Sequence, residues 1–449
     1  MRHLFFGVSL LATFLNGPWL WVAQLAWVAL AVLFTLDFRY AVYALFFFCS
    51  SFHPSGFFSN CSFFTLKHLH IAILLTVLIQ IFRGNFISSF KMSLKYSRFW
   101  RLLFVWGGLA LGIALWNGSA KKTFFLTANF FSVLLIFSYL AGLLSQHKNL
   151  LKPGLLFFLS GLSFQSLIAF SNFYTGRYWL RMTLIHNNQL GVLSAISLFY
   201  SFAFIFSEKK LFLKIFSGVI TLILFLNLIF SCSRTAWIGF ALGYLFWIFA
   251  RVFYSRRQVW RPRFRFILTA VVLWFVFQWI APMNYDIRTR AGEVTGLRAA
   301  SAWHYTFFID HKNFGFLGSY RRVQLKRAVQ IIKTHFLFGQ GLTHEITDFH
   351  SLYLTILAGT GLIGFVLFCS FLFLFFRDMH RSLLVPEDRD FIFKLSAFAA
   401  VMTWSLVSAL ENRLLQYPVW ANLFIAHLWM IRSPRVAGKK EEVSQQNIA

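Results

Sequence analysis

Long apolar stretches separated by short polar segments dominate the sequence. Most are roughly 17–25 residues long, the length of an α-helix that crosses the hydrocarbon core of a bilayer. Because lipid offers the backbone no hydrogen-bond partners, each stretch is predicted to be a helix. The predicted spans are 4–16, 19–36, 38–52, 68–83, 101–117, 122–144, 154–173, 187–207, 211–231, 234–250, 265–282, 352–376, 391–410 and 415–432. The first three are short and crowded, so the pattern predicts an all-α polytopic transmembrane bundle of about 12–14 spans.

One long polar stretch, 283–350, interrupts this pattern and is the sole candidate for an extramembrane loop domain. The predicted organisation is therefore transmembrane helices with short loops in 1–282, the large loop in 283–350, C-terminal spans in 351–432 and a polar cytoplasmic tail in 433–449. Within the loop, Arg321–Lys333 has the spacing of an amphipathic helix. Its predicted broad apolar face comprises Val323, Leu325, Ala328, Val329, Ile331 and Ile332.

Charge changes this picture in one respect. The chain is 58% hydrophobic and only 12% charged, yet its formal net charge is +28. A nucleic-acid-binding protein would carry its basic residues on a soluble face, whereas here they lie between spans, so no nucleic-acid partner is predicted. The segments 83–101 and 251–265 are basic and contain no acidic residue, which predicts a cytoplasmic location and contact with anionic membrane lipids. Counting spans places 174–186 and 283–350 on the opposite, outer side.

Ionisable residues near the outer ends of spans are candidates for function, because such groups are costly at membrane depth. Arg234 lies between two apolar spans with almost no loop, where it either serves function or snorkels to the interface as an anchor. His350 begins a span, where a histidine acts as a general base near neutral pH or simply hydrogen-bonds at the helix start.

Further basic residues on the outer side are candidates for phosphate binding. Arg321 and Arg322 form either a phosphate clamp or a solvated basic face of the amphipathic helix. Arg177 and Arg181 lie in the cationic segment 174–191, where phosphate contact and loop solvation are equally compatible with the pattern.

Motifs for metal or nucleotide chemistry are missing from the sequence. It contains no P-loop, no His-Glu-x-x-His and no Cys-x-x-Cys pattern, so neither a metal site nor a cofactor is predicted. The acidic pattern Asp388-Arg389-Asp390 is typical of metal-dependent transferases, but here it precedes a span on the cytoplasmic side. Acidic residues at a helix start complement the helix dipole, and this is the favoured interpretation.

Three stretches, taken in order, resemble the O-antigen ligase / O-antigen polymerase family of bacterial membrane glycosyltransferases. They are Ser233-Arg234-Thr235-Ala236-Trp237; the segment from Ser319-Tyr320-Arg321 to His335-Phe336-Leu337-Phe338-Gly339-Gln340-Gly341; and His350-Ser351-Leu352-Tyr353-Leu354 with Gly361-Leu362-Ile363-Gly364. The sequence departs from the family pattern at Phe336, where proline is usual, at Leu325, where tryptophan is common, and at Ser351, where asparagine is common. Arg322 is the alternative to Arg321 in the second stretch.

The resemblance implies a GT-C-like membrane bundle in the bacterial inner membrane, with an active site that faces the periplasm. Arg234, Arg321 and His350 would belong to that site, with the two arginines on a diphosphate and the histidine as the base. The implied donor is a glycan on undecaprenyl diphosphate, the implied acceptor is lipid A-core, and no metal is needed. A single direct displacement would invert the anomeric carbon.

Ligase activity is the favoured function, and three alternatives stay open. An O-antigen polymerase would use the same donor to extend lipid-linked repeat units, and a protein O-oligosaccharyltransferase would use a protein acceptor. Acceptor choice lies in pocket shape rather than in the shared motifs. A lipid-linked glycan transporter or flippase would place its polar residues or broken helices near the membrane midplane, whereas the ionisable residues here cluster at outer span ends.

Overall fold

A computed structural model of the chain describes only helical regular structure. The described residues are 2–13, 20–49, 68–83, 98–117, 144, 147–174, 187–231, 233–254, 314–342, 349, 351–384, 390–410 and 417–431. Across these ranges the structure has thirteen α-helices, one short 3-10 turn at Lys148–Leu150 and no strand. The predicted all-α class is therefore confirmed.

The helices are α1 (Arg2–Ala12), α2 (Leu20–Leu36), α3 (Phe38–Cys49), α4 (His68–Phe82), α5 (Arg98–Trp116), α6 (Leu151–Tyr174), α7 (Asn187–Ser207), α8 (Leu211–Phe230), α9 (Arg234–Tyr254), α10 (Phe314–Thr334), α11 (Leu352–Leu383), α12 (Phe391–Leu410) and α13 (Tyr417–Ile431). Of the fourteen predicted spans, all but two coincide with one of these helices. The two exceptions, 122–144 and 265–282, lie outside the described residues apart from Leu144.

Five of the described helices are by themselves long and apolar enough to cross a membrane. Their apolar segments are Leu151–Ile168, Gln189–Ser207, Leu211–Ile229, Leu352–Leu383 and Phe391–Ala409. Shorter apolar helices, among them α2, α3 and α9, make up most of the remaining described structure. The chain is thus a polytopic helical membrane protein.

Internal contacts divide the chain into two compact units. The first comprises Met1–Arg101, Ser132–His186 and Tyr417–Ala449, and the second Leu102–Phe131 and Asn187–Gln416. In the first unit, α3 is buried along nearly its whole length and packs against α2, α4 and α6. Its aromatic residues fill the gaps: Phe48 stacks on Trp27, and the ring of Phe46 leaves no space for a side chain at Gly154.

In the second unit, α7 is the central helix and contacts α8, α9 and α12. Its polar residues are buried and form hydrogen bonds with α8. The Asn227 side chain donates to Ser194 Oγ at 2.7 Å, and the Thr221 hydroxyl donates to Ser201 Oγ at 3.0 Å. Such bonds favour contact between two helices in a membrane, because an apolar helix surface packs about as well against lipid as against another apolar helix. The second unit also contains α9, α10 and α11, which carry the three motifs.

Candidate functional site

The turn between α8 and α9 fixes the backbone at Arg234. Ser233 is the N-cap of α9, and its hydroxyl accepts a hydrogen bond from the backbone N–H of Ala236 at 3.3 Å. Arg234 is therefore the first residue of the helix. At this position the unpaired N–H groups of the first turn point toward the loop side, and the helix dipole favours a negative charge there.

Buried polar contacts hold this turn in place. Ser231 Oγ donates to the carbonyl of Leu228 at 2.7 Å and accepts from the Ser233 N–H at 3.2 Å. The indole N–H of Trp237 donates to the same Leu228 carbonyl at 2.8 Å. Gly191, in the first turns of α7, lies against Ser231 and Ser233 with no space for a Cβ atom. The start of α7, which ends the predicted cationic segment 174–191, thus lies beside the Arg234 turn.

The second and third motifs meet through an exchange of backbone hydrogen bonds. In an unbroken helix, the N–H groups of Leu362 and Ile363 would donate to the carbonyls of residues 358 and 359. Here Leu362 donates instead to the carbonyl of Phe336 at 2.8 Å, and Ile363 to that of Leu337 at 3.3 Å.

The carbonyls released in α11 are also satisfied by the loop that follows α10. Gln340 N–H donates to the Ala358 carbonyl at 2.9 Å, and Gly341 N–H to the Gly359 carbonyl at 2.8 Å. Two intrahelical hydrogen bonds are thereby replaced by four between α11 and the loop. The loop 336–341 is thus inserted into a break in the helix.

Glycines make this insertion possible. Gly361 has φ 64° and ψ −169°, a conformation that is open essentially to glycine alone, and a Cβ atom there would collide with the carbonyl of Leu337. Gly339 has φ 72°, and a Cβ atom there would lie 2.5 Å from the backbone of Gly359 and Gly361. Gly361 and Gly339 therefore allow the backbone of α11 and that of the loop to approach each other closely.

The break turns the chain sharply within α11. Tyr353 and Phe368 lie on either side of it, and their ring centroids are 6.4 Å apart. In a straight helix, residues separated by 15 positions are about 22 Å apart along the axis. The segment Leu352–Thr360 therefore folds back alongside Leu362–Leu383, and the predicted single span 352–376 consists of two helical segments.

His350 lies outside the described residues, but both of its chain neighbours are described. Phe349 is buried in a cluster with Ala328 of α10 and Ala358 of α11. Ser351 is the N-cap of α11, and its hydroxyl accepts from the Leu354 N–H at 3.4 Å. The departure from the family's common asparagine keeps the capping function, because serine and asparagine are comparable N-caps.

The helix predicted at Arg321–Lys333 is present within the longer α10. Of its predicted apolar face, Ala328 is buried in the cluster with Phe349, and Ile331 and Ile332 pack against that cluster. The other three predicted members are exposed: Val323, Leu325 and Val329. The predicted face is therefore only partly buried within the protein.

Helical register distinguishes the positions of Arg321 and Arg322. Residues separated by seven positions lie on the same helix face. Position 321 therefore shares its face with Ala328, which is fully buried toward α11, whereas position 322 shares its face with Val329, which is 41% exposed.

Helix α12 packs against both α9 and the start of α11. Gly239 of α9 packs closely against Thr403 and Val407 of α12. The hydroxyl of Tyr353 donates to the carbonyl of Ser405 in the same stretch of α12 at 3.2 Å. The helix that begins at Arg234 and the start of α11 therefore share one packing partner.

Two contributors to this arrangement escaped the sequence interpretation. The Asn117 side chain, directly after α5, donates to the Gly339 carbonyl at 3.4 Å. Tyr353 links α11 to α12 and had been noted only as part of a motif. The sequence does contain a signal for Asn117, because this polar residue directly follows an apolar span and is therefore placed to form a hydrogen bond at the span's end.

Several of the other residues singled out in the sequence lie outside the described ranges of the chain or at helix starts. Arg177 and Arg181 lie outside the described residues, as do Asp388 and Arg389. Asp390 precedes α12, and its carbonyl accepts from the Lys394 N–H at 3.0 Å, consistent with a residue at a helix start. Within the described ranges, no group of three or more His, Cys, Asp or Glu side chains is arranged to hold a metal ion.

Comparison with known proteins identifies a family domain. The sequence model of the O-antigen ligase family matches residues 219–369. No curated protein sequence matches the chain significantly. The matched segment includes Arg234, Arg321, Arg322 and His350, while Arg177 and Arg181 precede it. The matched segment contains all three motifs and supports the family predicted from them.

Proposed function

We propose that this chain, whose residues 219–369 match the O-antigen ligase family, transfers a glycan from undecaprenyl diphosphate to a sugar hydroxyl of lipid A-core. The family points to glycosyltransferase activity of the O-antigen ligase or polymerase type. The observation that carries the proposal is that all three motifs of the match lie in one compact unit, in which α9 and α11 both pack against α12. The reaction would take place at the periplasmic face of the inner membrane.

In this proposal the arginines bind the diphosphate of the donor. The leaving group gains negative charge as the glycosidic bond breaks, and fixed cations in a site with little water stabilise that charge strongly. Arg234 contributes from the first turn of α9, where the helix dipole adds to its charge. Arg321 contributes from the α10 face that also carries buried Ala328, whereas Arg322 would assist from the adjoining face of the same helix.

His350 is the proposed general base. The acceptor hydroxyl oxygen attacks the anomeric carbon and forms the new glycosidic bond, while its proton passes to the imidazole. The bond from the anomeric carbon to the diphosphate oxygen breaks, and the undecaprenyl diphosphate leaves with the electron pair. One displacement of this kind inverts the anomeric configuration. The buried Phe349 and the N-cap Ser351 support the proposal because they fix the backbone on both sides of position 350.

Reconstitution of the full-length chain in vesicles tests this function. One sample receives lipid-linked glycan and lipid A-core, and a second receives lipid-linked glycan alone. Glycan on the core is the expected product, with inverted anomeric configuration by NMR. Lengthened lipid-linked glycan in the second sample would show a polymerase, glycan on an added protein acceptor would show a protein transferase, and lipid movement without either product would refute the enzyme function.

Single substitutions test the roles of the residues. Arg234→Ala and Arg321→Ala are expected to lower kcat by about 10²–10³, the usual loss for one charge-stabilising contact. His350→Ala is expected to cost about 10²–10⁴. Arg327→Ala is a matched control, because Arg327 is an exposed arginine on α10. Equal activities of the Arg321→Ala and Arg327→Ala variants, at equal protein levels, would remove Arg321 from the mechanism.

A further inference from the structure

The described part of α10 and the turn after it expose several large apolar side chains. Leu325 and Val329 lie one turn apart on α10 and are 50% and 41% exposed. Directly after the helix, Phe336, Leu337 and Phe338 are 50%, 53% and 57% exposed. These five residues are called the apolar stripe below. Exposed apolar side chains that adjoin one another are typical of a surface that contacts a protein or a membrane.

Hydrogen bonds fix the position of the apolar stripe along the axis of α11. Phe336 and Leu337 accept from Leu362 and Ile363, the first two residues after the break. The segment that begins there, Leu362–Leu383, is about 33 Å long, close to the thickness of a bilayer's hydrocarbon core. The turn is therefore held at the end of a membrane-crossing segment.

The apolar stripe also continues the exposed side of that segment. Ile363, Val366 and Phe373 of α11 are 40%, 53% and 66% exposed, as expected for residues that face lipid. Because Ile363 is hydrogen-bonded to Leu337, the exposed surface of the turn directly adjoins that of the span.

Charge on α10 favours the membrane interface over the hydrocarbon core. Lys326 and Lys333 are exposed and border the apolar stripe in helical register, and Gln330 is exposed beyond them. An apolar stripe bordered by lysines is typical of a helix that lies in the interface plane, with its cations among lipid phosphates. Val323 alone departs from the pattern, because it is exposed on the side of α10 away from the stripe.

We infer that the apolar stripe inserts into the membrane interface beside the start of Leu362–Leu383, so that α10 and its turn lie on the bilayer rather than stand away from it. The partner is the lipid surface itself, with anionic headgroups at Lys326 and Lys333. This inference goes beyond the proposed function and does not depend on it. It gives Phe336, at a position where the family usually has proline, a role in membrane contact.

Spin labelling in nanodiscs tests the insertion. The full-length chain, with its four native cysteines replaced by alanine, receives a single cysteine at Leu337, Val329 or Gln330 and a nitroxide label. Collision rates with O₂, which concentrates in lipid, and with a water-soluble nickel chelate are then compared. Labels at Leu337→Cys and Val329→Cys are expected to collide more with O₂, and the label at Gln330→Cys more with the nickel chelate.

The same samples distinguish the competing occupants. If the labels at positions 337 and 329 favour the nickel chelate as strongly as the label at 330, the surface faces water and the inference is overturned. If both labels are shielded from either reagent and show dipolar broadening between chains, a second copy covers the surface, and the inference is equally overturned. Positions 329 and 337 are labelled separately, so that a local disturbance by one label does not determine the conclusion.

Discussion

Replacement of Gly361 by alanine is expected to expel the loop 336–341 from the break in α11. A Cβ atom at this position collides with the carbonyl of Leu337, and φ 64° with ψ −169° is unfavourable for any residue other than glycine. Alanine is also a strong helix former, so the substitution favours a continuous helix across the break.

The magnitude follows from two contributions. Alanine held in the native conformation costs about 1–3 kcal/mol of backbone strain, before the collision is counted. In the released state, where α11 is continuous, alanine stabilises the helix by about 1 kcal/mol relative to glycine. The docked loop should therefore lose about 2–4 kcal/mol of stability relative to its released state.

Hydrogen exchange at the loop amides measures this loss. The N–H groups of Gln340 and Gly341 donate to carbonyls of α11, so their exchange reports release of the loop. A loss of 2–4 kcal/mol accelerates exchange by at least about thirtyfold. Gly218→Ala in α8 is the matched control, because no atom lies within 4 Å of the added Cβ, and it should leave the loop amides unchanged.

If the amide hydrogens of Gln340 and Gly341 exchange no faster in the Gly361→Ala variant, the four hydrogen bonds between the loop and α11 do not depend on Gly361, and the reasoning is refuted. Glycan transfer should fall with the loop's protection, since the loop joins α10 to the segment that follows His350. A variant that releases the loop and keeps full glycan transfer would show that the docked loop is not needed by the proposed site.

Three further predictions concern caps and one ion pair. Ser233→Ala removes the N-cap of α9 and should cost about 1 kcal/mol, seen as a lower Tm, with a loss of transfer from the displaced Arg234 turn. Ser351→Asn should keep both stability and transfer, whereas Ser351→Ala should lose about 1 kcal/mol; equal Tm values for the two would show that capping is irrelevant there. The side chain of Arg39 hydrogen-bonds Asp37 and holds the pKa of that carboxyl below its usual value. A lowered pKa in the folded state stabilises the protein above the carboxyl's ordinary pKa, and the contribution disappears as pH falls through the lowered value. Asp37→Asn should therefore lower Tm slightly at neutral pH and not at all in strong acid; a pH-independent difference would contradict the pairing.

The sequence predicted much of the candidate site because its signals are local. Ser233 before an apolar run is an N-cap pattern, and the structure has α9 beginning at Arg234. The family resemblance rested on short motifs that the matched segment includes. The assignment of Arg321 rather than Arg322 to the site stays a prediction, because the apolar residues of α10 occur around most of its circumference and the sequence does not show which side packs against α11.

Hydrophobic patterning by itself determined that this protein is a helical membrane protein, and it placed nearly every described helix. That is because a backbone in lipid must satisfy its own hydrogen bonds, which leaves an apolar stretch of this length with few choices other than helix. Only the tertiary structure decided that α11 breaks at Gly361 and accepts the loop after α10. The composition of an apolar stretch with a glycine does not show whether its N–H groups donate within the helix or to another segment. The N–H groups of Leu362 and Ile363 donate to carbonyls more than twenty residues away in the chain, so the outcome depends on a distant partner.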